Sequence, residues 1–174
     1  MDYAKSYETL VIHPDKIDDL DRIITKIKVN KSAYEEVSAR TTVPWYVIAA
    51  IHYRESTLSF KRHLHNGDPL TDRTVHVPKG HPVNGDPPFT WPESAIDALS
   101  MSWLSKAKDW SIGNMLALME RYNGLGYKNK GLPSPYVWSW TSVYKKGKYV
   151  EDGHFDPNVI DQQCGVAPIL KSLM

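Results

Sequence analysis

The stretch Val43 to Ser56, VPWYVIAAIHYRES, constrains the fold most. Pro44 suits the first turn of a helix, where its missing N–H and fixed φ cost nothing, and Thr41 or Thr42 offers a capping oxygen. No residue from Trp45 to Ile51 is charged. A helix apolar nearly all round belongs in the middle of a domain. Its last turn breaks that character abruptly, with His52, Tyr53, Arg54, Glu55 and Ser56 in succession. A carboxylate there faces the negative end of the helix dipole, and burial adds to the cost of its charge. Both effects favour a protonated Glu55, which is what a general acid requires. The alternative is a polar helix terminus in which Arg54 and Glu55 form a surface ion pair.

The rest of the chain narrows the setting. Its 174 residues suit one domain, 1–174, burying roughly 70% of the surface of the unfolded chain. With 21 Lys and Arg against 20 Asp and Glu, no net charge argues for nucleic acid or an acidic membrane as partner. Six Trp and ten Tyr against three Phe give broad apolar faces with polar handles, which suit sugar clefts as well as core edges. Cys164 is the one cysteine, so an internal disulfide is excluded, and packing is a better reading of it than a nucleophile. The polar start MDYAKSYETL lacks a signal-peptide pattern, and no segment approaches about 18 consecutive apolar residues. The expectation is a soluble protein folded in a reducing compartment.

Residues 14–28 carry Ile17, Leu20, Ile23, Ile24 and Ile27 on one helix face, and Asn30–Arg40 reads as a weaker helix around Tyr34 and Val37. Past the central helix comes a Pro- and Gly-rich excursion, 64–88, in which the alternation Thr74–Val77 predicts a β-hairpin or an ordered loop. A loop this long in a compact domain is usually functional. Thr90 and Glu93 form a capping-box pair that opens the next helix, with Pro92 in its first turn. Ser111 caps another, which Gly124 and Gly126 stop. A short helix follows Lys128, VYKKGKYV (143–150) predicts a hairpin about Gly147, and Asp156-Pro157 opens a last helix through Ile160, Val166 and Leu170.

A second polar cluster, Glu120-Arg121-Tyr122-Asn123-Gly124-Leu125-Gly126-Tyr127, ends an apolar helix, and Ser134-Pro135-Tyr136-Val137-Trp138 adds aromatic surface. Together with Glu55 these residues give an acid, hydrogen-bonding amides and phenols, and flat walls, the inventory for gripping and cleaving a sugar polymer. His63, His65, His76 and His81 with Asp68 and Asp72 are compatible in type with zinc, but imidazoles serve equally as loop anchors.

The IHYRES helix end, the HLHNGDPL…RTV segment, the YNGLGY turn and SPYVWS, taken together, resemble phage endolysins of the lysozyme-like, lytic-transglycosylase type, related to goose-type lysozymes and soluble lytic transglycosylases. The resemblance runs from the central helix to the last one. It implies a mainly α, lysozyme-like α+β domain with a small β-hairpin beside the active-site cleft and no separate wall-binding domain. It implies Glu55 as the catalytic acid/base, with Ser56, Glu120, Tyr122, Asn123, Tyr127 and Tyr136 as substrate contacts. The implied activity is cleavage of the β-1,4 bond between N-acetylmuramic acid and N-acetylglucosamine in peptidoglycan, for lysis of a bacterial host. Such an enzyme is a monomer made in the host cytoplasm that acts on the wall in the periplasm, without metal or other cofactor. The Gly-Leu-Met-Gln-type strand of soluble lytic transglycosylases is replaced here by the 64–88 excursion, so its sugar contacts do not carry over. A muramidase would need a second carboxylate, about 5–5.5 Å from the first if retaining and about 6.5–9.5 Å if inverting. Further rivals are a zinc amidase or peptidase and a non-catalytic glycan-binding module.

Overall fold

A computed structural model describes residues 1–151 and 153–174. In chain order the helices are α1 (Tyr3–Thr9), α2 (Ile17–Val29, entered through a 3-10 turn at Pro14–Lys16), α3 (Lys31–Thr41), α4 (Trp45–Ser56), α5 (Trp91–Met101), α6 (Ile112–Asn123), α7 (Gly126–Asn129), α8 (Pro135–Trp138) and α9 (Val166–Leu173). Two strands, β1 (Lys148–Glu151) and β2 (His154–Asp156), pair antiparallel. The chain divides into two compact units, one of Thr25–Lys108 and one of Met1–Ile24 with Asp109–Met174.

In the unit of 25–108, α3 packs against α4 and α5. Every residue of α4 from Val47 to Tyr53 is buried, as its lack of charge predicts. Tyr34 and Val37 from α3, Ala95 and Leu99 from α5, and Leu64 and Leu104 complete this core. The start of α4 departs from expectation. Pro44 is the N-cap and no side chain caps the helix, because the Thr41 hydroxyl instead donates to the Val37 carbonyl at 2.8 Å. The capping box of α5 forms as the sequence predicts, with Thr90 and Glu93 bonding each other's backbone N–H. Beyond Met101 the chain continues as a separate 3-10 turn, Trp103–Lys106.

The excursion is an ordered loop and not a hairpin. Its one ladder contact is the isolated bridge Arg62↔Pro69. The alternating Thr74–Val77 run forms no strand, because a side chain takes the donors at its centre: Val75 and His76 give their N–H groups to Asp68 Oδ2 at 2.8 and 3.0 Å. Val75 and Val77 are exposed in consequence.

In the other unit, α6 supplies the core residues Met115, Leu116 and Met119, against which α1, α8 and α9 pack. Gly124 ends α6 as predicted, but Gly126 begins α7 instead of stopping a helix. The hairpin lies later than 143–150. Gly147, at φ 102°, precedes β1, and a Cβ there would stand 2.8 Å from the Phe155 ring. Its glycine is therefore needed for close passage rather than for the turn. The last helix begins at Val166, since Asp156 belongs to β2. Between them, backbone groups that a helix would pair internally are taken by tertiary partners. Gly147 N–H donates to the Val159 carbonyl, Tyr144 Oη accepts from Asp161 N–H, and Trp140 Nε1 donates to the Gln162 carbonyl. Cys164 is buried ahead of α9, where its thiol faces the Gly165 carbonyl.

Candidate active site

Glu55 stands half-buried in the last turn of α4. Next to it Ser56 is buried, and its hydroxyl donates back to the His52 carbonyl at 3.3 Å. The chain then leaves the helix through two consecutive left-handed residues, Thr57 at φ 55° and Leu58 at φ 62°. Non-glycine residues pay of order 1 kcal/mol or more in this region, and for a β-branched threonine it is a real outlier. The conformation lets Thr57 and Leu58 donate to the Tyr53 and His52 carbonyls, closing the end of the helix. Strain of this kind concentrates where a fold holds a group for chemistry.

The excursion folds back onto this helix end. Gly67, at φ 79°, lies so near that a Cβ there would be 2.9 Å from the Glu55 carbonyl oxygen. Its own N–H donates to the His63 carbonyl at 3.0 Å, and its carbonyl accepts from Arg62 Nη1 at 2.8 Å. The NGD turn of 66–68 is thereby seated against the backbone of Glu55. Only glycine meets both demands, positive φ and close approach.

Beneath the helix end His52 is fully buried. A carbonyl cannot donate, so the 3.1 Å contact to the Ser59 carbonyl requires a proton on Nε2. Nδ1 then accepts from the Tyr34 hydroxyl, also at 3.1 Å. Burial pushes the imidazole pKa down to about 4, against a smaller opposing effect of the Ser59 carbonyl. Trp91 and Phe60 pack on the ring at centroid distances of 4.6 and 4.8 Å. A neutral histidine thus ties α3, α4 and the chain just past Glu55 together.

The histidines of the excursion separate into three arrangements. His76 pairs with Asp68 at 2.6 Å. Burial alone would raise the Asp68 carboxyl pKa, but the His76 and Val75 donors hold it down to about 2. His63 bonds the Asp72 carbonyl through Nε2 and Ser94 Oγ through Nδ1, each at 2.8 Å. His65 Nε2 and His81 Nδ1 both meet Asp97 Oδ2 at 2.8 Å. Of the residues proposed from sequence for zinc, His76 and Asp68 thus form a pair, while His65 and His81 converge on a third group, which makes three possible ligands. Their partner is Asp97 of α5, not Asp68 or Asp72.

No family model, no curated protein and no solved structure matches this chain.

Glu120, Tyr122, Asn123, Tyr127 and Tyr136 all belong to the unit that does not contain Glu55. Glu120 is buried, and Tyr3 Oη donates to its Oε2. Burial, and then this bond, push the Tyr3 pKa up. The cavity beside Glu120 is about 60 Å³, room for one or two waters rather than a sugar ring. Tyr127 is buried, and its Oη accepts the Tyr149 N–H at 2.9 Å, anchoring β1. Tyr136 is buried in α8, Tyr122 is half-buried and Asn123 exposed. Sequence reasoning missed two residues at these sites, Gly67 and Asp97. Gly67 carried a signal, an Asn-Gly-Asp turn soon after the helix end. Asp97 carried none, being one acid on an amphipathic helix.

Proposed function

We propose that this chain is a peptidoglycan-cleaving lytic transglycosylase with a lysozyme-like fold, and that Glu55 is its acid/base. The observation that carries the reading is the setting of Glu55: a half-buried carboxyl closing a buried helix, followed by two strained residues and backed by Gly67. The resemblance of IHYRES, HLHNGDPL, YNGLGY and SPYVWS to phage endolysins supplies the substrate class.

In this mechanism the Glu55 carboxyl donates its proton to the glycosidic oxygen, and the C1–O4 bond breaks. N-acetylglucosamine leaves with a free 4-hydroxyl, and an oxocarbenium-like centre forms at C1 of the muramic residue. The C6 hydroxyl of that same residue attacks C1, and its proton passes to the Glu55 carboxylate, restoring the acid. The attack is intramolecular, so a well-placed hydroxyl outcompetes water without a base of its own. One carboxyl group therefore suffices. The buried, Tyr3-bonded state of Glu120 favours this route over a hydrolysis that would rely on Glu120 as the second carboxylate.

The test is release of soluble fragments from purified peptidoglycan by wild type and Glu55→Gln. Glu55→Gln keeps the shape and removes the transferable proton, so the variant should melt like wild type and lose nearly all turnover. Substantial activity in Glu55→Gln would overturn the assignment of Glu55.

A further inference from the structure

We propose that His65 Nε2, His81 Nδ1 and Asp97 Oδ2 form a site for one divalent transition-metal cation, with zinc the best fit, that clamps the excursion onto α5. The three donor atoms lie within 4.8 Å of one another. Asp97 Oδ2 already stands 2.8 Å from each imidazole nitrogen. Three ligands of a tetrahedral zinc, each about 2.0–2.2 Å from the ion, sit about 3.3 Å apart. Opening the two short pairs by about half an ångström, with the two imidazole nitrogens brought to the same separation from within 4.8 Å, would admit the ion. Two imidazoles and one carboxylate suit zinc and its neighbours in the first transition row, whereas magnesium and calcium call for oxygen ligands.

The surroundings fit the bound state as well as the free one. At present each imidazole gives the proton on its inner nitrogen to Asp97, since a carboxylate accepts. Metal binding requires that nitrogen bare and the proton on the other one. For His65 the other nitrogen, Nδ1, lies 3.5 Å from Ser94 Oγ. The Ser94 oxygen already accepts the Leu64 N–H at 3.3 Å and has a second lone pair for this bond, because its own proton goes elsewhere. His63 must carry its proton on Nε2 to donate to the Asp72 carbonyl, so His63 Nδ1 is the acceptor of the Ser94 proton. Fully buried Ser94 can thus orient the metal-bound tautomer of His65, the outer-shell support that metal-ligating histidines need. Asp97 is oriented in turn by the Val83 N–H at its Oδ1, 3.3 Å away. His65 and Asp97 are shielded, with side-chain exposures of 1% and 13%. Asp97 also lines a cleft of about 340 Å³ with Arg40, Pro82, Asn84 and Glu93, which gives an ion a way in and a water a place as fourth ligand.

The role this geometry gives the metal is structural. His65 and His81 come from the two sides of the excursion and Asp97 from α5, so one ion would close a loop whose 66–68 turn rests on Glu55. Binding is read without turnover, so this proposal and the assignment of Glu55 fail separately. The experiment titrates metal-stripped full-length protein with Zn²⁺ by calorimetry, and with Co²⁺ by visible absorption. One Zn²⁺ should bind per chain and raise the melting temperature, as any ligand of the folded state does. Co²⁺ should give the intense d–d bands of a four-coordinate centre. His81→Ala and Asp97→Asn should each weaken Zn²⁺ binding by at least about 100-fold, and Ser94→Ala by about 10–100-fold. His76→Ala, which removes an exposed histidine outside the cluster, should leave it unchanged. Weak, non-stoichiometric binding to the wild type overturns the site without recourse to any variant. Binding unaffected by both ligand substitutions, or lost in His76→Ala, does the same.

Discussion

Replacing His52 by glutamine isolates one titrating group at the end of α4. In the wild type the buried imidazole has a pKa of about 4 against an ordinary 6.5. The folded state therefore resists protonation, and the unfolded chain takes up the proton first. The sign follows directly: the stability this group allows is fully present above pH 6.5 and is lost as pH falls towards 4. Linkage between those two values makes the loss about 2 kcal/mol by pH 5 and about 3 kcal/mol by pH 4. Glutamine can still hydrogen-bond towards the Ser59 carbonyl and the Tyr34 hydroxyl, but it does not titrate and gives up the ring contacts with Trp91 and Phe60. The variant should be less stable near neutrality by about 1–3 kcal/mol. Urea unfolding followed by tryptophan fluorescence, near pH 7.5 and pH 5, measures both effects. Other groups titrate in this window in both proteins, so the informative quantity is the difference between their pH slopes. If wild type and His52→Gln lost the same stability on acidification, the neutral buried histidine would be refuted.

Two further substitutions probe the surroundings. Gly67→Ala should cost about 1–3 kcal/mol, from positive φ and a Cβ too near the Glu55 carbonyl, and should reduce peptidoglycan turnover beyond its effect on melting. Unaltered turnover would show that the 66–68 turn does not position Glu55. Tyr3→Phe and Glu120→Gln, made singly and together, should show a coupling of about 0.5–1.5 kcal/mol in a double-mutant cycle, as for an intramolecular side-chain hydrogen bond; additive losses would mean the two groups act independently.

What the sequence made legible were the elements determined locally. The absence of charge from Trp45 to Ile51 was enough for a buried helix, and Thr90 with Glu93 was enough for the start of α5. Misplaced elements were those whose backbone groups find tertiary partners. The Thr74–Val77 run has the alternation of a strand, but the Asp68 carboxylate, seven residues before Val75 and eight before His76, takes the N–H groups of both. Asp156-Pro157 has the form of a helix start, yet β1 pairs with Asp156. Cys164, inside the span expected for that helix, lies ahead of α9 for the same reason. The convergence of His65 and His81 on Asp97 depends on how the excursion folds back onto α5, and periodicity holds no information about that. Glu55 was legible because its helix announces both the burial and the polar end. The partner its backbone meets, Gly67, is set by the loop.

The reducing or anhydro character of the cut glycan end tests the account most directly. Wild-type protein digests purified peptidoglycan, and mass spectrometry reads the muropeptides released. Attack by the C6 hydroxyl leaves a 1,6-anhydromuramic end, lighter by one water than the reducing end left by hydrolysis. The account predicts that anhydro ends dominate and that Glu55→Gln releases neither product. A digest holding only reducing ends would contradict it, and would require a second working carboxylate to activate water.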